Sequence, residues 1–140
     1  MRDKKHFPLP LLVEPVWGED WRKRKVIADF VYIMSDDACK PIIVPAGFIT
    51  DYASIPRFLW SWLPSWGPYG PAAVVHDYLY RRRAAITVPN PNTPSQKIKN
   101  SRKIADDIFY LAMRHCGVGW IKRQVIYWAV RLCGGAAWEK

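Results

Sequence analysis

Short apolar segments separated by turn residues fill the first 50 positions of the chain. The segments are residues 11–17, 25–34 and 41–45, and the second is rich in valine, isoleucine, phenylalanine and tyrosine. Such β-branched and aromatic residues are favoured in strands, whereas the glycine, serine and aspartate between the segments favour turns. The pattern predicts a small antiparallel β-meander of three or four strands within residues 10–50.

The pattern changes after residue 55, where apolar residues recur three and four positions apart, as is typical of helices. Pro56 can open a short helix as far as Leu63, since proline is tolerated in a first helical turn. Three longer helices are predicted at residues 72–83, 101–116 and 120–133. The last of these is apolar over most of its circumference, so we expect it to be buried on more than one side.

Residues 88–100 interrupt the helical pattern. This segment reads VPNPNTPSQKIKN, with three prolines and three asparagines, and it is predicted to be an exposed loop. Taken together, the segments predict a single α+β domain over residues 1–140. In it, a small N-terminal antiparallel β-meander is followed by three to four packed helices within residues 55–138.

The composition fits a globular domain. The chain has 140 residues, of which 50% are apolar and 24% are charged, enough for one hydrophobic core. Three cysteines without CxxC spacing predict free thiols rather than a disulfide framework or a zinc site. No apolar run approaches the roughly 20 residues of a transmembrane helix, and no secretory signal peptide is expected at the N-terminus.

The net charge of +9 indicates attraction to an anionic partner, such as nucleic acid, an acidic membrane surface or an acidic protein. The basic residues are scattered over several clusters, which is more typical of a solvated surface. Because the chain has no nucleic-acid-binding motif, sequence-specific binding to nucleic acid is not expected.

The helix predicted at residues 72–83 carries the first candidate chemistry. His76 and Tyr80, four residues apart, fall on the same face as Val75 and Leu79, and Asp77 lies at the margin of that face. An imidazole and a phenol buried there each need a hydrogen-bond partner, since an unpaired buried group costs about 1–3 kcal/mol. A satisfied core histidine and a functional histidine are both consistent with this placement.

The next helix offers a partner. Asp106 lies on the rim of its apolar stripe, whereas Asp107 falls on the polar side as a surface charge. Arg102, four residues before Asp106, could hold the Asp106 carboxylate. A carboxylate that accepts from one imidazole nitrogen of His76 leaves the other to act as a base, although the same pair also forms as a structural hydrogen bond.

A second polar cluster lies between the strands and the helices, at Thr50, Asp51 and Ser54. Asp51 or Ser54 could cap the short helix that follows, which is the better interpretation for Ser54. Asp51 could instead face the His76 site as a third acid.

Four segments, VPAGFITDYASIPR, PAAVVHDYLY, SRKIADDIFYLAM and AVRLCGG, occur in this order between residues 40 and 135. Together they resemble the phage- and prophage-associated family called domain of unknown function 1353. The resemblance implies a bacteriophage or prophage origin, with the protein in the host cytoplasm or in the virion, and it implies no activity.

The His76-Asp77 helix and the Asp106 helix also resemble the paired helices of secretory phospholipases, including the parvovirus capsid version without disulfides. By that resemblance His76 would activate a water molecule and Asp106 would orient His76, with Tyr80 in support. Asp77 would bind Ca²⁺, and Asp51 is the second candidate metal ligand.

Three tryptophans, Trp60, Trp62 and Trp66, lie in the most aromatic stretch of the chain. They suit an anionic membrane surface or a contact with phage structural proteins, and core packing is the third interpretation. Two functions therefore remain open. One is a phage-encoded, metal-dependent hydrolase of phospholipase type, and the other is a non-enzymatic virion, tail-assembly or host-interaction protein whose His–Asp cluster is structural.

Overall fold

A computed structural model describes residues 5–18, 23–34, 41–50, 57–59, 69–82, 86–88, 96–98, 102–135 and 138. Five short strands come first, and three helices dominate the second half, so the chain is an α+β protein as predicted. The strands are β1 Val13–Pro15, β2 Arg24–Val26, β3 Phe30–Tyr32, β4 Ile42–Val44 and β5 Ile49–Thr50. The helices are α1 Gly70–Arg82, α2 Arg102–His115 and α3 Trp120–Cys133.

The five N-terminal strands divide into two antiparallel sheets, one ordered β1-β2-β5 and the other formed by β3 and β4. Residues 25–34, predicted as one strand, belong to both sheets, because the chain leaves the first sheet at exposed residues 27–29. There the Asp29 carboxylate accepts a hydrogen bond from the Ala46 backbone N–H at 2.8 Å. The contact fastens the break between β2 and β3 to the turn after β4.

That turn depends on Gly47, which has φ +91° and donates its N–H to the Val26 carbonyl oxygen at 2.6 Å. Positive φ is costly for residues other than glycine. The turn returns the chain to β2, so that Ile49 and Thr50 pair with Lys25 and Arg24. Thr50, which was predicted to lie between the strands and the helices, therefore belongs to the sheet.

The exposed loop predicted at residues 88–100 contains a strand. Two short strands, β6 (Ile86–Val88) and β7 (Gln96–Ile98), pair as an antiparallel hairpin. Ile86 lies opposite Ile98. Alternating apolar and polar residues on both sides of the prolines are the local signal for this pairing. The density of proline and asparagine between them concealed that signal in the sequence.

Helix α1 is the centre of the molecule, packed between the strands and α2, and most of its residues are buried. Helix α2 also contacts α3 and presents a single buried face. Gly117, with φ +80°, follows the end of α2 and directly follows the helix predicted at residues 101–116. No helix in the described part of the chain is long and apolar enough to cross a membrane.

Helix α3 differs from its prediction. Its bounds agree, but only Ile126 and Val130 are buried. Five large apolar side chains of this helix are exposed to solvent: Trp120, Ile121, Val125, Trp128 and Leu132. Among the described elements α3 packs chiefly on α2, and the far side of α3 has none of them packed against it.

The helix predicted from Pro56 to Leu63 is described only at Arg57–Leu59, which form a single 3₁₀ turn.

Candidate functional site

A buried carboxylate joins α1 to α2 at the centre of the helices. The Oδ1 atom of Asp106 lies 2.7 Å from His76 Nε2 and 2.5 Å from the Tyr80 hydroxyl. His76 and Tyr80 are four residues apart on α1, so both reach the same oxygen from one helix face. His76 and Asp106 are completely buried, and Tyr80 is almost so. The structure therefore brings together the three residues that the sequence proposed as catalytic.

The protonation of this cluster follows from its electrostatics. Burial disfavours the charged form of Asp106, but hydrogen bonds from His76, Tyr80 and Arg131 outweigh that effect and hold its pKa below the ordinary value. An ionised carboxylate can only accept hydrogen bonds, so His76 Nε2 carries a proton. In a neutral imidazole the basic nitrogen is then Nδ1.

Tyr80 is held as a permanent donor. Burial, followed by its hydrogen bond to Asp106, raises the pKa of Tyr80 above its ordinary value. The rings of Trp138 and Tyr80 pack edge to face, with their centres 5.2 Å apart. On the other side, the His76 ring stacks on Phe109 with centres 4.4 Å apart and planes inclined by 24°. The imidazole is thus fixed both by hydrogen bonding and by ring packing.

The positive partner of Asp106 is an arginine that the sequence analysis missed. Arg131 on α3 donates from Nη1 to Asp106 Oδ2 at 2.6 Å. Arg102, expected to hold Asp106 directly, instead donates from Nη2 to the carbonyl oxygens of Val130 and Arg131, at 2.9 and 2.5 Å. A cation at these carbonyls is favourable because the last carbonyls of a helix carry partial negative charge. Arg102 therefore positions α3, and Arg131 neutralises the site.

Gly134, in the turn after α3, lies close to the Tyr80 hydroxyl at the edge of the cluster. A Cβ atom at this position would lie 2.6 Å from the Val130 carbonyl oxygen and 3.0 Å from the Tyr80 hydroxyl. The Gly134 N–H donates to the same Val130 oxygen at 2.7 Å. Only glycine therefore lets the turn close over Tyr80 without a shift of the backbone. The AVRLCGG segment supplies both Arg131 and this glycine.

The candidate metal ligands are only partly described. Asp77 is buried, and its Oδ1 atom lies 3.4 Å from Arg81 Nε, one helical turn further on. Within the described ranges, no group of three or more His, Cys, Asp or Glu side chains is arranged to hold a metal ion. Asp51 and Ser54, like Trp60, Trp62 and Trp66, lie outside the described residues. The described residues thus do not by themselves fit a calcium site, which needs six to eight oxygen ligands.

The lowered pKa of Asp106 makes stability depend on pH. A carboxyl whose pKa is lower in the folded state stabilises the protein above its unfolded pKa, about 3.9, and this contribution is lost as the pH falls through the folded value. We expect the free energy of unfolding of the wild type to decrease as the pH is lowered below roughly 4. In Asp106→Asn the free energy of unfolding should decrease less steeply over the same pH range. Urea titrations of both proteins at several pH values measure this, and two parallel pH profiles would contradict it.

Comparison with known proteins identifies one matching family. The model of the family described as "Protein of unknown function (DUF1353)" matches residues 24–130, more than half of the chain. The chain is also 36% identical over 94 residues to "Uncharacterized protein y4jT" from Sinorhizobium fredii (strain NBRC 101917 / NGR234). That match covers 65% of the chain but 23% of the relative, so the chain spans about a quarter of that protein. No solved structure matches the chain significantly.

Proposed function

Because the chain belongs to the DUF1353 family, whose description names no reaction, we propose its function from the site: it hydrolyses an ester, with His76 as the general base. The observation that carries this proposal is the shared Asp106 oxygen, which binds His76 Nε2 at 2.7 Å and the Tyr80 hydroxyl at 2.5 Å. This arrangement assigns the basic lone pair to Nδ1 and fixes the ring that bears it.

In the proposed reaction, Nδ1 of His76 takes a proton from a water molecule while the water oxygen attacks the ester carbonyl carbon. The tetrahedral intermediate collapses with cleavage of the bond to the leaving oxygen, which receives the proton back from Nδ1. The products are a carboxylic acid and an alcohol. Asp106 remains ionised throughout and stabilises the transient imidazolium, while Tyr80 and Arg131 hold the carboxylate in place.

A phospholipid is the substrate class we propose. The support is the likeness to secretory phospholipases noted in the sequence: a histidine followed by an aspartate, a tyrosine four residues after the histidine, and an aspartate on the next helix. The distances among His76, Tyr80 and Asp106 agree with the roles which that likeness implies. His76 is fully enclosed, so a substrate reaches it only after movement of the surrounding chain.

Calcium is part of the proposal, with Asp77 as a ligand, because the likeness to secretory phospholipases implies that role for the aspartate after the histidine. When bound, the ion would polarise the ester carbonyl. Activity of the purified protein should therefore be measured with added Ca²⁺ and with a chelator. A calcium dependence that Asp77→Asn removes, while the fold persists, would support this ligand.

The decisive test compares two histidine variants on mixed phospholipid vesicles, with release of fatty acid as the readout. We expect His76→Gln to lower the rate by roughly 10²- to 10⁴-fold, the usual contribution of a general base. His115→Gln is the matched control, because His115 is only partly buried and its Nδ1 pairs with the Tyr32 hydroxyl at 2.9 Å, away from Asp106. Its rate should stay within a few-fold of wild type.

Complete burial of His76 and Asp106 favours a second candidate, in which the cluster braces the core of a non-enzymatic virion, tail-assembly or host-interaction protein. On this reading the wild type releases no fatty acid above background, with or without Ca²⁺, and His76→Gln only lowers thermal stability. That combination would overturn the hydrolase proposal. The phage or prophage origin belongs to both candidates as a proposal.

A further inference from the structure

The far side of α3 carries an apolar stripe. Ile121, Val125, Trp128 and Leu132 follow one another at intervals of four, three and four residues, which places them on one face of the helix. They are respectively 68%, 38%, 57% and 81% exposed. Ile126 and Val130, on the opposite face, are completely buried. We call the four exposed residues the outer stripe.

The outer stripe is not explained by the fold. Isolated apolar side chains are normal on protein surfaces, but a contiguous row of large ones usually marks an interaction site. Trp120, at the start of the same helix, is also 64% exposed. Trp128 additionally lines an open groove of about 330 Å³ between α2 and α3, together with Asp107, Tyr110, Gln124 and Tyr127. Exposed apolar side chains therefore occur on α3 from its first residue, Trp120, to Leu132 near its end.

The charged residues near the outer stripe indicate which kind of partner would bind there. Residues 108–138 contain four basic residues and no aspartate or glutamate. Lys122 is exposed beside the stripe, and Arg114 is exposed on α2. Two copies of the chain meeting through the outer stripe would bring their exposed Lys122 side chains close together, which opposes association. An anionic lipid surface instead complements the basic residues, and it takes up aliphatic and tryptophan side chains at the depth of its headgroups.

We propose that α3 docks peripherally on an anionic lipid surface, with the outer stripe inserted among the headgroups and Lys122 over the acidic lipid. This inference goes beyond the proposed function, since docking needs none of the residues of the His76 site. It uses a different element from Trp60, Trp62 and Trp66, the tryptophans to which the sequence analysis assigned a membrane contact.

The test is the partition of the full chain onto sedimented vesicles of phosphatidylcholine, with and without phosphatidylserine. We expect binding that requires phosphatidylserine and weakens with added salt. Leu132→Asp should weaken binding at least roughly tenfold, because it places a charge at the most exposed position of the stripe. Leu12→Asp is the matched control, since Leu12 is 44% exposed in the strand half of the chain and receives the same change.

Three results would each overturn the docking proposal. The first is wild-type protein that stays in the supernatant with phosphatidylserine vesicles. The second is equal weakening of vesicle binding by Leu132→Asp and Leu12→Asp. The third is a wild-type dimer in lipid-free solution that Leu132→Asp converts to a monomer, without vesicle binding by either protein. His76→Gln should bind vesicles as wild type does, which separates a failure of docking from a failure of the hydrolase proposal.

Discussion

Replacing Asp106 with alanine is expected to lower the free energy of unfolding by about 3–5 kcal/mol, the usual cost of removing one partner from a buried charge pair. The variant leaves the Arg131 guanidinium, the His76 N–H and the Tyr80 hydroxyl without their common acceptor. His76 and Tyr80 are buried, so neither gains water in exchange unless the helices separate. Urea unfolding followed by circular dichroism measures the loss.

The neighbouring residue provides the control. Asp107 is also on α2, but it is exposed and accepts from Lys103 Nζ at 2.7 Å and from the Tyr127 hydroxyl at 2.6 Å. Burial and this hydrogen bond raise the pKa of Tyr127 to about 12, so its hydroxyl stays protonated. Exposed pairs contribute about 0–1 kcal/mol, and Asp107→Ala should cost no more than that. Similar losses in the two variants would mean that Asp106 does not hold the helices together.

Phe109→Ala should have a comparable effect, because a buried phenylalanine replaced by alanine usually costs about 3–5 kcal/mol. The Phe109 ring is completely buried on α2 and supports the imidazole of His76. Its removal therefore leaves a cavity next to His76, and one face of the imidazole loses its packing contact. We expect a lower midpoint of urea unfolding together with a changed chemical shift of the His76 ring.

Phe58→Ala makes the same chemical change at a side chain that is 70% exposed. It should alter the free energy of unfolding by no more than about 0.5 kcal/mol, as is usual for surface substitutions. If Phe109→Ala unfolded at the same urea concentration as Phe58→Ala, the packing of Phe109 against His76 would contribute little to stability.

Much of the helical half could be predicted from the sequence, because its signals are local. Periodicity gave α1, α2 and α3 nearly to their ends, and it placed His76 and Tyr80 on an inward face. Asp106 was identified as a candidate partner because a carboxylate on the rim of one helix can meet an inward imidazole on the next. The hydrogen bonds among these three residues confirm their proximity, while their catalytic role stays a prediction.

The features that could not be predicted from the sequence depend on contacts between residues that are far apart in the chain. Arg131 is the only charged residue from position 124 to 135, a signal that was available, but its partner lies 25 residues away on another helix. Gly134 directly follows the helix predicted at residues 120–133, and its closeness to Tyr80 follows only from how α3 meets α1. The outer stripe was mistaken for a second buried face, since periodicity shows that residues share a side and not what covers that side.

The position of Asp106 also affects how the molecule can open. A single carboxylate links three helices, through His76 and Tyr80 on α1, its own backbone on α2 and Arg131 on α3. If one helix moved away from the other two, the Asp106 carboxylate or one of its donors would lose a hydrogen-bond partner inside the protein. Separate opening of a single helix is therefore unfavourable. We therefore expect the three helices to behave as one cooperative unit, with their slowest backbone amides exchanging with solvent only in global unfolding.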